Sequence, residues 1–334
     1  MYELLGICVV LAALMLLNAA ASLGMALAWR LIAPLTRLSS ARTRSDLLFT
    51  LRLAAPMSAA IIVALFLIPS YLDYEPRATA EVVSLKLAAL AVLSAGSLTF
   101  ALFRTVRSWL ATAALRRQWL QSARRIQVAG INVPAFSISH RFPIIAIVGT
   151  LRPRLFIAGD VLSALTADEM AAAIAHESGH LAARDNLKRT LLRICRDSLF
   201  LVPFGRAVDR LWAQTAESAA DEFAARQSPE VALNLASALV RIAKMVPAGA
   251  RADVPLGAYL VGAEETPGVK SRIRRLIEIA TNHSRITPTN NLLIRLLPLT
   301  SFVAIAAGAS IIAANGKVLM GVHLVLERAV SLLS

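Results

Sequence analysis

Four stretches of the chain are apolar for long enough to shape the whole molecule. Residues 4–29 carry no charge and exceed the roughly 20 residues that a helix needs to cross a bilayer. Residues 53–72 form a second span, with Pro56 and Pro69 near its ends. Residues 87–103 are shorter, but Lys86 and Arg104 stand where their ammonium and guanidinium groups can reach the two interfaces. Residues 296–314 form a fourth span, whose run A-I-A-A-G-A-S suits close helix packing. Between the third and fourth spans the pattern changes. Residues 105–125 are basic and helical in period, and are expected to lie against the membrane. P-A-F-S-I-S-H, P-I-I-A-I-V-G and P-R-L-F-I-A-G then read as short strands, each punctuated by proline or glycine. From Thr166 the period is helical again. T-A-D-E forms a capping box, with Thr166 as N-cap and Glu169 three residues later, and the helix is expected to run to about residue 192. A further amphipathic helix starts near Arg206.

Composition agrees with membrane insertion. Hydrophobic residues make up 57% of the 334 residues, above the 45–50% or so of soluble domains. A net charge of +14 has two ordinary meanings, nucleic acid or anionic lipid. No recognition helix or aromatic-basic pattern accompanies it, so nucleic acid is not an expected partner and the lipid bilayer is. The loop charges orient the spans. Arg30, Arg37, Arg42, Arg44 and Arg52 face only Asp46 between the first two. Asp73, Glu75 and Glu81 offset Arg77 and Lys86 between the second and third, and six arginines from Arg104 to Arg125 follow. The positive-inside rule then places the N-terminus outside and residues 104–295 in the cytoplasm. A cleaved signal peptide is not expected, because the first segment lacks a basic start and its apolar core is too long. Cys8 and Cys195 lie far apart and read as buried thiols rather than a disulfide. The expected organisation is three spans with a basic loop over 1–104, a cytoplasmic domain over 105–295, and a fourth span with a short outer tail over 296–334. The fold class is mainly α, a polytopic helical membrane protein with an inserted α+β domain.

The chemistry concentrates in I-A-H-E-S-G-H-L-A-A-R-D, residues 174–185. His176 and His180 are four residues apart, so a helix presents both on one face, where two imidazoles can share one Zn²⁺. Glu177 sits beside the first histidine, placed to take a proton from water at the metal. Only five histidines occur in the chain, and two in one helical turn among small apolar residues would be costly to bury without a purpose. A catalytic zinc site usually takes a third protein ligand. A-E-S-A-A-D-E-F-A-A-R supplies Glu217 as that ligand and, four residues on, Asp221 as a carboxylate to fix a ligand histidine. Glu222 is adjacent and spacing alone leaves it open. His140, His283 and His323 lack a partner at metal spacing. V-K-S-R-I-R-R-L, residues 269–276, reads as a solvated helix face.

P-I-I-A-I-V-G-T-L-R-P-R-L-F-I, L-T-A-D-E-M, H-E-S-G-H-L-A-A-R-D and the later E-S-A-A-D together resemble the peptidase region of the BlaR/MecR-type membrane zinc metallopeptidases, over roughly residues 85–280. The resemblance implies a gluzincin-like, zincin-like domain in which His176, His180 and Glu217 bind zinc, Glu177 is the catalytic base and Asp221 supports the site. Asp185 matches a position that the group keeps acidic, and a salt bridge to a neighbouring arginine is its expected role. The implied activity is cleavage of a protein or peptide, a cytoplasmic repressor or the chain itself, in regulatory proteolysis at a bacterial inner membrane. The antibiotic-sensing members carry a penicillin-binding domain after the fourth span. About 20 residues follow that span here, so neither that domain nor β-lactam sensing is expected. The HtpX-type quality-control peptidases share HExxH and ExxxD and are the near alternative. A signalling scaffold with a structural metal is the non-enzymatic one, and it would have no need of Glu177. The strand around residues 153–158, just before the metal helix, is the expected edge for pairing with an extended substrate.

Overall fold

The structure, a computed structural model, describes residues 1–36, 39–77, 83–199, 204–246, 266–282 and 292–333. Arg37, Glu81 and His283, named above, lie outside them. The apolar stretches become long rods. α1 spans Tyr2–Ile32. α2, Ala41–Ile62, continues through a π-helical turn, Val63–Leu67, into α3, Ile68–Tyr74. This second rod starts well before the apolar run, because Ser40 caps it by accepting a hydrogen bond from the Thr43 amide at 3.2 Å. α4, Leu85–Ser122, is capped by Ser84 in the same way. It carries the third span and the basic stretch after it as one unbroken helix, so residues 105–125 do not form a separate helix lying on the membrane. Nothing in L-F-R-T-V-R-S-W breaks a helix, and the period persists across the change in polarity.

Among the described residues three rods are long and apolar enough to cross a membrane, and the apolar window of each is only 28% buried within the protein. Their shared core joins Leu5, Val9, Ala12, Leu67, Tyr71, Leu87 and Ala91. Gly6 is required there, since a Cβ would lie 2.7 Å from the Tyr71 ring, whose hydroxyl donates to the Tyr2 carbonyl at 2.7 Å. The fourth apolar stretch differs from expectation. α11, Leu292–Ala313, is followed by α12, Gly316–Leu333, and the two are bent by 91°. Asn315 makes the break, with its side-chain oxygen accepting from the Lys317 amide at 3.0 Å. The expected short tail is thus a helix that returns to the bundle. Ser70 and Tyr74 donate to the Leu319 and Gly316 carbonyls, each at 2.9 Å.

The second part holds a four-stranded sheet. β1 (Arg124–Ile126), β2 (Ala135–Ile138), β3 (Ile145–Val148) and β4 (Arg154–Ala158) lie in the order β1-β2-β4-β3. β2 and β4 are parallel and the other pairs antiparallel. The strand expected at the edge, β4, is therefore interior. β3 hairpins back outside it through Gly149, whose φ of 108° suits a turn that other residues avoid. β3 and β4 are buried almost throughout, in one core with α6 (Ala167–Ala183) and α9 (Pro229–Met245). Among the described residues, α5 (Gly159–Ala164), α7 (Asp185–Asp197), α8 (Phe204–Ala225) and α10 (Thr266–Thr281) are the other helices of this part.

Candidate metal centre

α6 is registered by its first turn. Thr166 Oγ1 accepts from the Glu169 amide at 3.2 Å, and Glu169 Oε2 accepts from the Thr166 amide at 2.9 Å. The other Glu169 oxygen takes Ser237 and Arg241 of α9, at 2.5 and 2.8 Å. Two turns later His176, Glu177 and His180 are all buried. The helix does not reach residue 192. It stops at Ala183, and Arg184 turns left-handed (φ 52°, ψ 39°) before α7 begins at Asp185. A left-handed non-glycine residue costs about 1–2 kcal/mol. The break brings Asp185 back under the metal helix, with its Oδ2 2.7 Å from His180 Nδ1. Asp185 therefore partners a histidine, not the arginine expected of it, because the turn at Arg184 aims its carboxylate inward.

α8 crosses α6 at Gly179. A Cβ there would stand 3.1 Å from the Ala220 Cα and 3.2 Å from the Phe223 Cβ, so the small residue sets how closely the helices approach. On α8, Glu217 lies 3.7 Å from His176 Nε2 and 3.6 Å from His180 Nε2, and Asp221 Oδ1 lies 2.9 Å from His176 Nδ1. Each histidine thus has a carboxylate on Nδ1 and turns Nε2 toward the other; the two Nε2 atoms are 3.2 Å apart. Donors around a tetrahedral zinc ion, each about 2.0–2.2 Å from it, lie about 3.3–3.5 Å from one another. Two imidazoles and one carboxylate at these separations fit such an ion, and candidate ligand atoms of His176, His180 and Glu217 all lie within 4.8 Å of one another. Both oxygens of Glu177 are buried with no hydrogen-bond partner among the described residues. Glu222 points elsewhere. It accepts from the Ala41 amide at 3.0 Å and pairs with Arg275, so the open choice falls on Glu217. His140 bonds within its own loop and His323 sits near Glu75 and Glu327, both away from this cluster.

Sequence reasoning missed Arg272. It is 9% exposed, not on a solvated face, and its fork grips Asp221 at 2.9 and 2.7 Å while Nη1 lies 3.1 Å from Glu217. The signal was there: Val269, Arg272 and Leu276 share one helix face, and both neighbours are buried. The charges follow the geometry. Burial pushes the Glu177 carboxyl up to about 7, against the pull of His180 and His176. Burial also opposes the charge on Asp221, yet Arg272 and then His176 hold it down to about 2. His180 is raised to about 10 despite its burial, by Glu217 and Asp185.

Two histidines and a carboxylate, placed so that they could hold a metal ion, stand in the same cluster as a buried, unpartnered glutamate. Residues 111–280 match the model of peptidase family M48, and the chain belongs to that family of zinc metallopeptidases. No curated protein matches the chain.

Proposed function

We propose that this chain is a membrane-bound zinc-dependent endopeptidase that hydrolyses a protein substrate at the cytoplasmic face of a bacterial inner membrane, with its N-terminus outside. Glu177 carries the reading: a buried carboxylate with both oxygens free of partners, one residue from a metal donor, has no structural use. His176, His180 and Glu217 would hold the zinc, which when bound supplies a Lewis acid that lowers the pKa of water and polarises the scissile carbonyl. Asp221 and Asp185 fix the two imidazoles with Nε2 facing inward, and Arg272 fixes Asp221. Glu177 takes the proton from the attacking water and passes it to the leaving amine. Substrate would enter beside β3, where a cavity of about 390 Å³ lies between Ile147, Gly149 and Leu151 on one side and His180 and Asp185 on the other. Asn186 donates to the Ile147 and Gly149 carbonyls at 2.8 and 3.2 Å, so a substrate strand pairing there has to displace it.

Dedicated regulatory cleavage, as in the BlaR/MecR-type likeness, is the role we favour; HtpX-type quality control is the second. The Ala41 amide at the foot of the second rod bonds to Glu222, next to Asp221. That contact supports substrates met at the membrane surface, which both roles share. The test is metal content and cleavage of an unstructured peptide library by detergent-purified protein, beside Glu177→Gln. About one zinc per chain in both, with cleavage lost in the variant, is expected. No metal in either would sink the proposal. One preferred sequence among the products supports a regulator, and broad cleavage supports quality control.

A further inference from the structure

A second cavity, of about 680 Å³, lies away from the metal centre between α4, α7 and α8. Arg104, Arg189, Arg193, Arg196, Arg206 and Arg210 line it against two carboxylates, Asp197 and Asp209, an excess of four positive charges. The carboxylates are engaged: Asp197 with Arg104 and Arg196 at 3.3 and 3.2 Å, Asp209 with buried Arg52 at 3.3 Å. Arg206 and Arg210 have no carboxylate partner among the described residues. Trp212 also lines the cavity, is 2% exposed, and its indole N–H has no hydrogen-bond partner among the described residues. Burial, and next the charge on Arg196, hold the Arg193 guanidinium below its ordinary value. A pocket this basic, with an idle buried donor, is built for an anion, and guanidinium forks match phosphate oxygens.

Position selects the source of the phosphate. Phe100 and Arg104 line the cavity where α4 leaves its apolar stretch. On the same helix Leu102, Phe103, Val106 and Trp109 are exposed, an apolar strip along which acyl chains can lie. We infer that this cavity binds the phosphate headgroup of an anionic phospholipid, seating the peptidase part on the inner leaflet. The inference rests on the membrane placement proposed above.

The test uses full-length protein in nanodiscs of mixed phosphatidylglycerol and phosphatidylcholine, with retained lipid read by native mass spectrometry. Phosphatidylglycerol should be retained over phosphatidylcholine. The Arg206→Gln/Arg210→Gln double variant should retain it roughly thirtyfold less, from the contribution of each basic residue near an anionic surface. Arg124→Gln/Arg125→Gln, which removes the same charge from exposed β1, should retain it as wild type does. Equal retention by the cavity variant, equal loss in the β1 variant, or displacement of the lipid by millimolar inorganic phosphate would each overturn the inference. Alkaline extraction of membranes separates the two readings. A chain released by it refutes the membrane placement, whereas one that stays, with lipid retention unchanged by the cavity variant, refutes this inference alone.

Discussion

Asp185→Asn isolates what the break after α6 does for the metal. The Asp185 carboxylate is 2% exposed and its Oδ2 sits 2.7 Å from His180 Nδ1. A carboxylate only accepts, so Nδ1 carries a proton, and the neutral imidazole that would bind zinc keeps its lone pair on Nε2. A carboxamide of the same shape has two choices. Its oxygen can accept as before, exchanging a charge-assisted bond for a neutral one at a loss of about 1–1.5 kcal/mol. Its NH₂ can face Nδ1 instead, which sends the imidazole proton to Nε2 and removes the ligand. The variant also loses a negative charge at the first position of α7, another 0.3–1 kcal/mol or so. Zinc should therefore bind about 10–100-fold more weakly, measured by competition with a chromogenic chelator. The metal-free protein should melt about 2–4 °C lower. A dissociation constant within twofold of wild type would refute the role assigned to Asp185 and leave it a helix-terminal charge. Asp221→Asn should be worse on both counts, because it sets an NH₂ group against the donor fork of Arg272.

Three other outcomes follow from the same geometry. Gly179→Ala should destabilise the protein by about 1–3 kcal/mol and weaken zinc binding, since the α8 backbone 3.1 Å from the new Cβ has to move; calorimetry with and without zinc reads both, and unchanged affinity would mean that helix spacing does not set the site. In metal-free protein Glu177 is raised from the usual carboxyl value to about 7, so its contribution is full below pH of about 4.5 and is lost as pH rises through about 7, at most on the order of 3 kcal/mol. Chelator-treated wild type should lose thermal stability across that window and Glu177→Gln should not; parallel curves would refute it. Restoring zinc at 100 times its dissociation constant should add about 2.7 kcal/mol of stability, seen as a concentration-dependent melting temperature that Glu217→Ala shifts to higher zinc.

The short-range part of the site was legible in the sequence because a helix fixes it. His176, Glu177 and His180, like Glu217 and Asp221, need only the helical period to share a face. What sequence hid depended on where helices stop and how they return. H-L-A-A-R-D holds no glycine or proline, so the turn at Arg184 left no mark, and with it went the partner of Asp185. The place of β4 inside the sheet follows from a hairpin that folds outward, which chain order does not reveal. Arg272 was written on an apolar face between Val269 and Leu276, but a charge in a basic run reads first as solvated. The bend at Asn315 had a signal in A-N-G, overridden by the hydropathy of the residues on both sides.

Three polar contacts from the second rod support the metal site. Lys188 of α7 pairs with Asp46 at 2.5 Å, and on α8 Asp209 pairs with Arg52 while Glu222 caps Ala41. All three partners lie on α2, and Leu48, Leu192, Trp212 and Ala216 bury a common apolar cluster between the same helices. α7 begins with the carboxylate that orients His180, and α8 carries Glu217 and Asp221. The second rod therefore contacts both helices on which the candidate donor set depends. Misplacement of catalytic groups by about 1 Å can cost on the order of a hundredfold in rate. A tilt of α2 would therefore move both helices that carry Glu217 and the carboxylate partners of the histidines.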